Sequence, residues 1–443
     1  MKSVLFLLFL LMAFFAKSQT VRLVKDIVPG EKGIFDNGAR ILGSHNGIAF
    51  IQFRHEKDIH YWKTNGTAEG TNFIGLIPNV RALLKVYPFT DGYVIFIRDN
   101  NGDDAFWILW GKTGILERLA AKVAPVNEFV LFEGELLYCP DTGLAKLVAI
   151  DLVSKTPRII HTYGPFGVRM LSACDDFVFI VADPPDSEAS GSMAFYVYRE
   201  KKITLQQVVN RGEEHSEGAN PLPFRGKIFF WYHPSSNPYQ LWVTDGTTDS
   251  TYVIFDKLAY ESTLDLFYKY DNNFIGKNLI LFTGLPSDSC RQCFDLYSLN
   301  PVTYKIQNLK ITDRPNDTGA NYMDFGSDIY FSIKGKLAHT DGTTRGSEIF
   351  FNEDITGSNP KCMTEYRGRL YYLAFKLGKD RKVTSTELRS FDPATPEIFS
   401  KHDLQGIDPL SMVLLGQRLL FIANDGIHGH ELFTYEENAS EKK

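Results

Sequence analysis

A turn pair followed by alternating aliphatic and aromatic residues recurs along the whole chain. Asn46-Gly47 leads into Ile48-Ala49-Phe50-Ile51, and Arg225-Gly226 leads into Lys227-Ile228-Phe229-Phe230. The same signature occupies residues 91–96, 133–138, 175–180, 276–281, 325–330, 367–372 and 416–421. Roughly nine copies spaced about 40 to 50 residues apart match the period of β-propeller blades. Another short apolar run precedes each copy, as in Arg40-Ile41-Leu42 and Phe129-Val130-Leu131. The turn pair is therefore expected to join the first two strands of a hairpin. Aromatic and β-branched residues dominate the apolar positions, as pleated surfaces favour, and no long stretch carries a helical period. Phe229-Phe230-Trp231-Tyr232 is apolar on both faces, as befits a strand packed between neighbouring blades.

A second motif follows in three units. It runs from Tyr61 through Thr64-Asn65-Gly66-Thr67 to Gly70-Thr71, from Leu241 through Thr244-Asp245-Gly246-Thr247 to Ser250-Thr251, and from Leu337 through Thr340-Asp341-Gly342-Thr343 to Gly346-Ser347. Asn-Gly and Asp-Gly accept the positive φ of tight turns, and Asn, Asp and Thr side chains can bond the backbone just ahead of them. The segment is expected to join the third and fourth strands of a blade.

These residues resemble a bacterial exported repeat family marked by E-L-W-x-[ST]-D-G-T-x-x-G-T, followed by L-V-K-D-I and later by N-D-G-x-x-G-x-E-L-W. Asn424-Asp425-Gly426-Ile427-His428-Gly429-His430-Glu431-Leu432-Phe433 matches the last block with Phe in place of Trp, and Leu23-Val24-Lys25-Asp26-Ile27 matches the middle one. The resemblance covers nearly all of the mature chain by spacing and three or four units by motif. It implies an exported or surface-attached β-propeller-like protein from a group that mostly has no assigned activity. Many such proteins carry a C-terminal sorting or adhesion module; here the sequence ends shortly after Glu436-Glu437-Asn438-Ala439-Ser440.

In that family the L-V-K-D-I segment follows the D-G-T turn as a blade's fourth strand. Here it stands at the start, with no strands before it, while the C-terminal unit stops after its third strand near Tyr435. The N-terminal strand is expected to complete the last blade, which removes two exposed strand edges. The expected fold is all-β: a single closed propeller of about nine four-stranded blades, with eight as the other count and two tandem propellers as the alternative. The most linker-like stretch, residues 184–192, falls inside unit four as a hairpin loop.

The chain starts with Met1-Lys2-Ser3, an apolar run from Val4 to Ala16, and Lys17-Ser18. A basic start, a short apolar run and a small-x-small pair read as a secretory signal peptide over residues 1–18. That leaves residues 19–443 as the propeller repeat domain. The run falls short of the roughly 20 apolar residues of a membrane span, the competing reading. No transmembrane segment is expected after signal removal, and the protein should be periplasmic, outer-surface or secreted. The formal net charge of −6 over 443 residues, without a basic block, argues against nucleic acid as a partner. Export permits disulfides. Of Cys139, Cys174, Cys290, Cys293 and Cys362, the pair Cys290 and Cys293 is expected to close a small structural ring rather than form a redox CxxC or zinc site.

Candidate chemistry is sparse. His428, His430 and Glu431 stand close enough for a metal site, though a hairpin-tip role is the plainer reading. Asp99-Asn100-Asn101-Gly102-Asp103-Asp104 looks like a calcium loop, but Trp110 stands where an EF-hand needs Glu, so weak calcium binding at most is expected. Glu213, Glu214, His215 and Glu217 form a polar connector of the kind that gathers binding residues. No G-x-S-x-G elbow or phosphate loop appears. Catalytic residues stay unassigned, and no cofactor or resident metal is expected. The expected function is a non-catalytic binding or scaffold module of the bacterial cell envelope, recognising a protein or glycan through propeller loops as a monomer or an accessory subunit of an envelope complex. The alternative is a glycan-active hydrolase or lyase with its site at the central channel mouth.

Overall fold

A computed structural model describes residues 20–437 apart from residues 30–32, 35–38, 124–125, 141–145, 165–166, 185–191, 211–217, 233–238, 259–273, 285–293, 314–321, 351–357, 378–382, 393–394, 396–398, 403 and 405. Every regular element among the described residues is a strand. The strands form nine four-stranded antiparallel sheets, and the fold is a β-propeller of nine blades. Blades 1 to 8 are meanders in chain order, spanning residues 40–77, 80–123, 126–162, 168–210, 218–258, 274–313, 323–349 and 358–402. Blade 9 takes three strands from Asp408–Leu415, Arg418–Asn424 and His430–Glu436, and its fourth from Thr20–Lys25 at the start of the chain. The signal segment 1–18, Cys290, Cys293 and the connector with Glu213, Glu214, His215 and Glu217 lie outside the described residues.

The chain divides into two compact units. One comprises Met1–Pro78, Gly111–Ile115 and Asn352–Lys443 and carries the strands of blades 1, 8 and 9. The other comprises Asn79–Trp110 and Leu116–Phe351 and carries the strands of blades 2 to 7.

Within the six-blade unit, strand alternation sends successive side chains to opposite neighbours. Leu136 of blade 3 packs with Val94, Phe106 and Ile108 of blade 2, whereas Leu137 packs with Val178 and Ile180 of blade 4. Phe230 of blade 5 meets Phe179 and Phe195 of blade 4, while Phe229 and Trp231 meet Ile280 and Phe282 of blade 6. Both faces of these second strands are thus core, and this explains the unbroken apolar run at residues 229–231. Burying one such large side chain stabilises by about 1.5–3 kcal/mol. The three-blade unit follows the same rule: Leu419 and Phe421 pack with Tyr371 and Leu373 of blade 8, and Leu420 and Ile422 pack with Ala49 and Ile51 of blade 1.

The second sequence motif forms the turn between third and fourth strands, at residues 65–71, 245–251 and 341–346. In blade 1 the Thr64 hydroxyl accepts the Gly66 N–H at 2.9 Å and bonds the Thr71 hydroxyl at 2.7 Å. Asn65 Oδ1 accepts the Thr67 N–H and hydroxyl, and Thr71 Oγ1 donates to the Thr67 carbonyl at 2.6 Å. Blades 5 and 7 repeat the set, with Ser347 in the place of Thr71. Each turn also fastens its blade to the preceding one. Arg418 donates to the Gly66 carbonyl at 3.2 Å, and the Ser298 hydroxyl donates to the Gly342 carbonyl at 2.7 Å.

Blades 3 and 6 lack the motif and fasten by side chain instead. Lys155 reaches Glu117 of blade 2 at 2.7 Å, and Tyr304 is held by the Lys227 ammonium of blade 5. Both Lys155 and Tyr304 sit at left-handed φ, +57° and +56°, closing a turn whose first residue, Asp151 or Asn300, accepts the next N–H groups.

The turn predicts a clean contrast. Thr71→Val removes the buried hydroxyl while keeping shape and is expected to cost about 1–2 kcal/mol. Thr71→Ser, the residue blade 7 already uses, is expected to cost less than half of that. Urea denaturation of the two variants checks it, and equal losses would show that the hydroxyl bonds contribute nothing.

Candidate functional site

Three consecutive turns between first and second strands, in blades 3, 4 and 5, enclose an open concavity of about 470 Å3. Glu133, Asp175 and Arg225 stand on its rim, above Phe132, Cys174 and Phe224. The hairpin logic fixes their positions. Phe132 pairs with Glu135 and Phe224 with Lys227, so Glu133-Gly134 and Arg225-Gly226 are two-residue loops. Both residues of each loop have positive φ: +46° and +77° in the first, +45° and +74° in the second. Such turns match strand twist, and they favour Asn, Asp or Gly at the first position. A Cβ on Gly134 would meet nothing within 4 Å, so the backbone angle alone requires glycine there. Glu133 and Arg225 are therefore charged, exposed residues held where the turn itself would select something else. Among L residues other than Asn and Asp this conformation costs roughly 1 kcal/mol or more.

The rim side chains differ in their engagements. Arg225 lies over the Phe224 ring at 5.1 Å and donates to the Lys277 carbonyl of blade 6 at 2.6 Å. The Cys174 thiol, buried beneath the rim, donates to the Lys227 carbonyl at 3.2 Å. Burial pushes that thiol up, so it stays protonated and poorly nucleophilic. Among the described residues Cys139, Cys174 and Cys362 form no disulfide with one another.

Two other buried carboxylates are structural. Glu135 accepts both Arg158 (2.8 and 2.9 Å) and the Tyr198 hydroxyl (2.9 Å) across the blade 3–4 junction. Burial pushes its carboxyl up, but those bonds and the nearby cations bring it net below the ordinary value. Glu387 of blade 8 is held in the same way by Lys401 at 2.6 Å and Arg389 at 2.7 Å, again with a net downward shift.

The motif around His428 has another task. His428 Nδ1 bonds Asp425 Oδ2 at 2.7 Å within the hairpin tip. The backbone carbonyl of His430 accepts the Ile34 N–H at 2.8 Å, and Gly33 passes so close that a Cβ there would lie 2.4 Å from the same oxygen. Glu431, fully buried, accepts the backbone N–H groups of Ile27 at 2.9 Å and Val28 at 3.0 Å. These residues clasp the N-terminal segment. Among the described residues no group of three or more His, Cys, Asp and Glu side chains is arranged to hold a metal. In the loop read as calcium-like, Asp99 Oδ1 accepts the N–H groups of Asn101 and Asp103, and Asp104 accepts two hydrogen bonds from the Arg98 guanidinium at 2.6 and 3.0 Å. Both carboxylates serve the hairpin.

No protein-family model matches the sequence, and no curated protein does. Solved structures of similar shape include the β-propeller domain of the Trilobed protease from Pyrococcus furiosus, 14% identical, covering 74% of this chain and 99% of that one, TM-score 0.39. They also include an oligogalacturonate lyase in complex with manganese, 10% identical, covering 96% and 100%, TM-score 0.46. An oligogalacturonate lyase from Vibrio parahaemolyticus is 9% identical, covering 96% and 100%, TM-score 0.41. The blade architecture of this chain stands on its own strand pairing, and none of their chemistry is carried over.

Burial raises the Glu431 carboxyl from its ordinary 4.5 to about 7, against the pull of the Ile27 and Val28 N–H groups. Between those values the folded chain holds a proton that the unfolded chain has lost, so this group's contribution to stability falls as pH rises from 4.5 to about 7 and is level above. The change amounts to roughly 3 kcal/mol. The stability difference between wild type and Glu431→Gln, measured by denaturant unfolding, isolates it. Wild type is expected to lose that much relative to the variant from pH 5 to pH 8, and a difference independent of pH would contradict the assignment.

Proposed function

We propose that this chain is an exported binding or scaffold module of a bacterial cell envelope, and that it recognises a protein partner through the charged turns of blades 3 to 5. The observation that carries the reading is Glu133. It is exposed, takes part in no described hydrogen bond or ion pair, and occupies a left-handed backbone position that the turn would give to Asn. A residue retained at a cost to folding, with no structural return, points to selection for contact with something else.

The form of the concavity supports the same reading. It is shallow and charged at the rim, as a surface for a macromolecule is, and its one nucleophile is a thiol spent on a backbone carbonyl. The buried carboxylates Glu135, Glu387 and Glu431 are each bound by donors of the chain itself. The signal-like pattern of residues 1–18 supports export across the cytoplasmic membrane.

The test pairs a stability measurement with a binding measurement. Glu133→Asn is expected to stabilise the protein by about 1 kcal/mol. Tagged wild-type protein recovered from its native envelope should bring down a stoichiometric partner, and the Glu133→Asn protein should not. A partner retained equally by both would remove the turns of blades 3 to 5 from recognition, and recovery of the wild type alone would overturn the scaffold reading.

A further inference from the structure

The hairpin of the second and third strands of blade 1, Ile48–His55 and Asp58–Thr64, carries two histidines side by side near its turn. We propose that His55 and His60 form a binding site for a divalent transition-metal ion of the zinc, copper and nickel class. Strand pairing brings the two together. His55 lies opposite Asp58 and Phe53 opposite His60, so the histidines are diagonal neighbours on one face of the hairpin. That face is the one whose Ile51 and Phe53 pack with Leu420 and Ile422 of blade 9.

The spacing of the two rings fits a shared ion. Their centres are 5.2 Å apart. Two imidazole nitrogens bound to one tetrahedral zinc at about 2.0–2.1 Å put their ring centres about 5 Å apart. Neither imidazole enters a described hydrogen bond or ion pair, so their ring nitrogens are available as ligands. Other histidines of the chain are already engaged. His339 Nδ1 bonds Asp328, His428 Nδ1 bonds Asp425, and His402 uses both nitrogens on the Ser390 and Tyr435 hydroxyls. Imidazole suits zinc, copper and nickel, whereas calcium and magnesium require oxygen ligands.

The packing prepares one ligand and leaves the other accessible. His60 is half-buried, with the Phe53 and Phe73 rings each 5.5 Å from its own. Phe73 in turn stands edge-on to Trp62 at 5.6 Å. Those contacts restrict the His60 ring before any ion arrives, which lowers the ordering cost of capture. His55 is exposed, and its χ2 can turn to aim a nitrogen at the shared point. Among the described residues no third His, Cys, Asp or Glu completes the set. Water therefore fills the remaining positions, and the site is an open one from which the ion exchanges.

Calorimetric titration of the full-length protein, free of any polyhistidine tag, with zinc chloride in excess magnesium tests the assignment. Zinc is expected to bind despite the magnesium, and His55→Gln is expected to weaken that binding at least roughly tenfold. His55 is exposed and makes no described hydrogen bond, so the variant's metal-free melting curve should match wild type and a loss of binding cannot be ascribed to unfolding. His428→Gln, at the other histidine-bearing hairpin, is expected to leave the affinity unchanged. No zinc binding, displacement of zinc by magnesium, an unaffected His55→Gln protein, or an equal loss in His428→Gln would each overturn the proposal.

Discussion

The strand His430–Glu436 needs a partner on its outer side, and residues 408–436 supply only three strands for a sheet of four. Left bare, that edge would offer a row of unpaired N–H and C=O groups to any other chain. Thr20–Lys25 covers it, Val21 opposite Tyr435 and Leu23 opposite Phe433. The consequences extend into the core, because Val24 and Ile34 join the cluster in which Leu420, Ile422 and Leu432 of blade 9 meet Ala49, Ile51 and Phe53 of blade 1. Glu431 secures the arrangement. A carboxylate buried without partners would cost several kcal/mol. Here it accepts the two backbone N–H groups of Ile27 and Val28, just beyond the N-terminal strand.

The same requirement, to fasten each unit to its neighbour, has more than one chemical solution along the chain. The D/N-G-T turns present a backbone carbonyl to the preceding blade, and blades 3 and 6 present the side chain of a residue at left-handed φ instead. Blade 4 adds a third form: the Tyr198 hydroxyl reaches back to Glu135 of blade 3, beside the Arg158–Glu135 pair. Blades 3, 4 and 6, which lack the sequence motif, therefore keep the contact. The turn residues are free to vary as long as something reaches back, and the repeat consequently looks degraded in sequence while the sheets remain regular.

Much of this architecture could be read from the residues. The turn pairs fall between first and second strands, the D/N-G-T segments between third and fourth, and Leu23-Val24-Lys25 within the strand that completes blade 9. These are local signals: turn chemistry, alternation and spacing. The role of Glu431 was not legible, because its partners Ile27 and Val28 lie about 400 positions away in sequence, while His428 and His430 just before it suggest a metal. Glu133 and Arg225 are an intermediate case. Their sequence signal, Glu-Gly and Arg-Gly where Asn-Gly is the cheap choice, is visible, but it acquires meaning only once both loop residues are seen at positive φ.

Hydrogen exchange of the full-length protein, followed by mass spectrometry, tests the completion of blade 9 most directly. Peptides covering Thr20–Lys25 should be protected to the same degree as those covering His430–Glu436, and the two should lose protection together as denaturant is added, as paired strands of one cooperative element do. Rapid exchange of residues 20–25 beside well-protected residues 418–436 would show that the N-terminal strand is not part of the sheet and would contradict the structure at the interaction on which blade 9 rests.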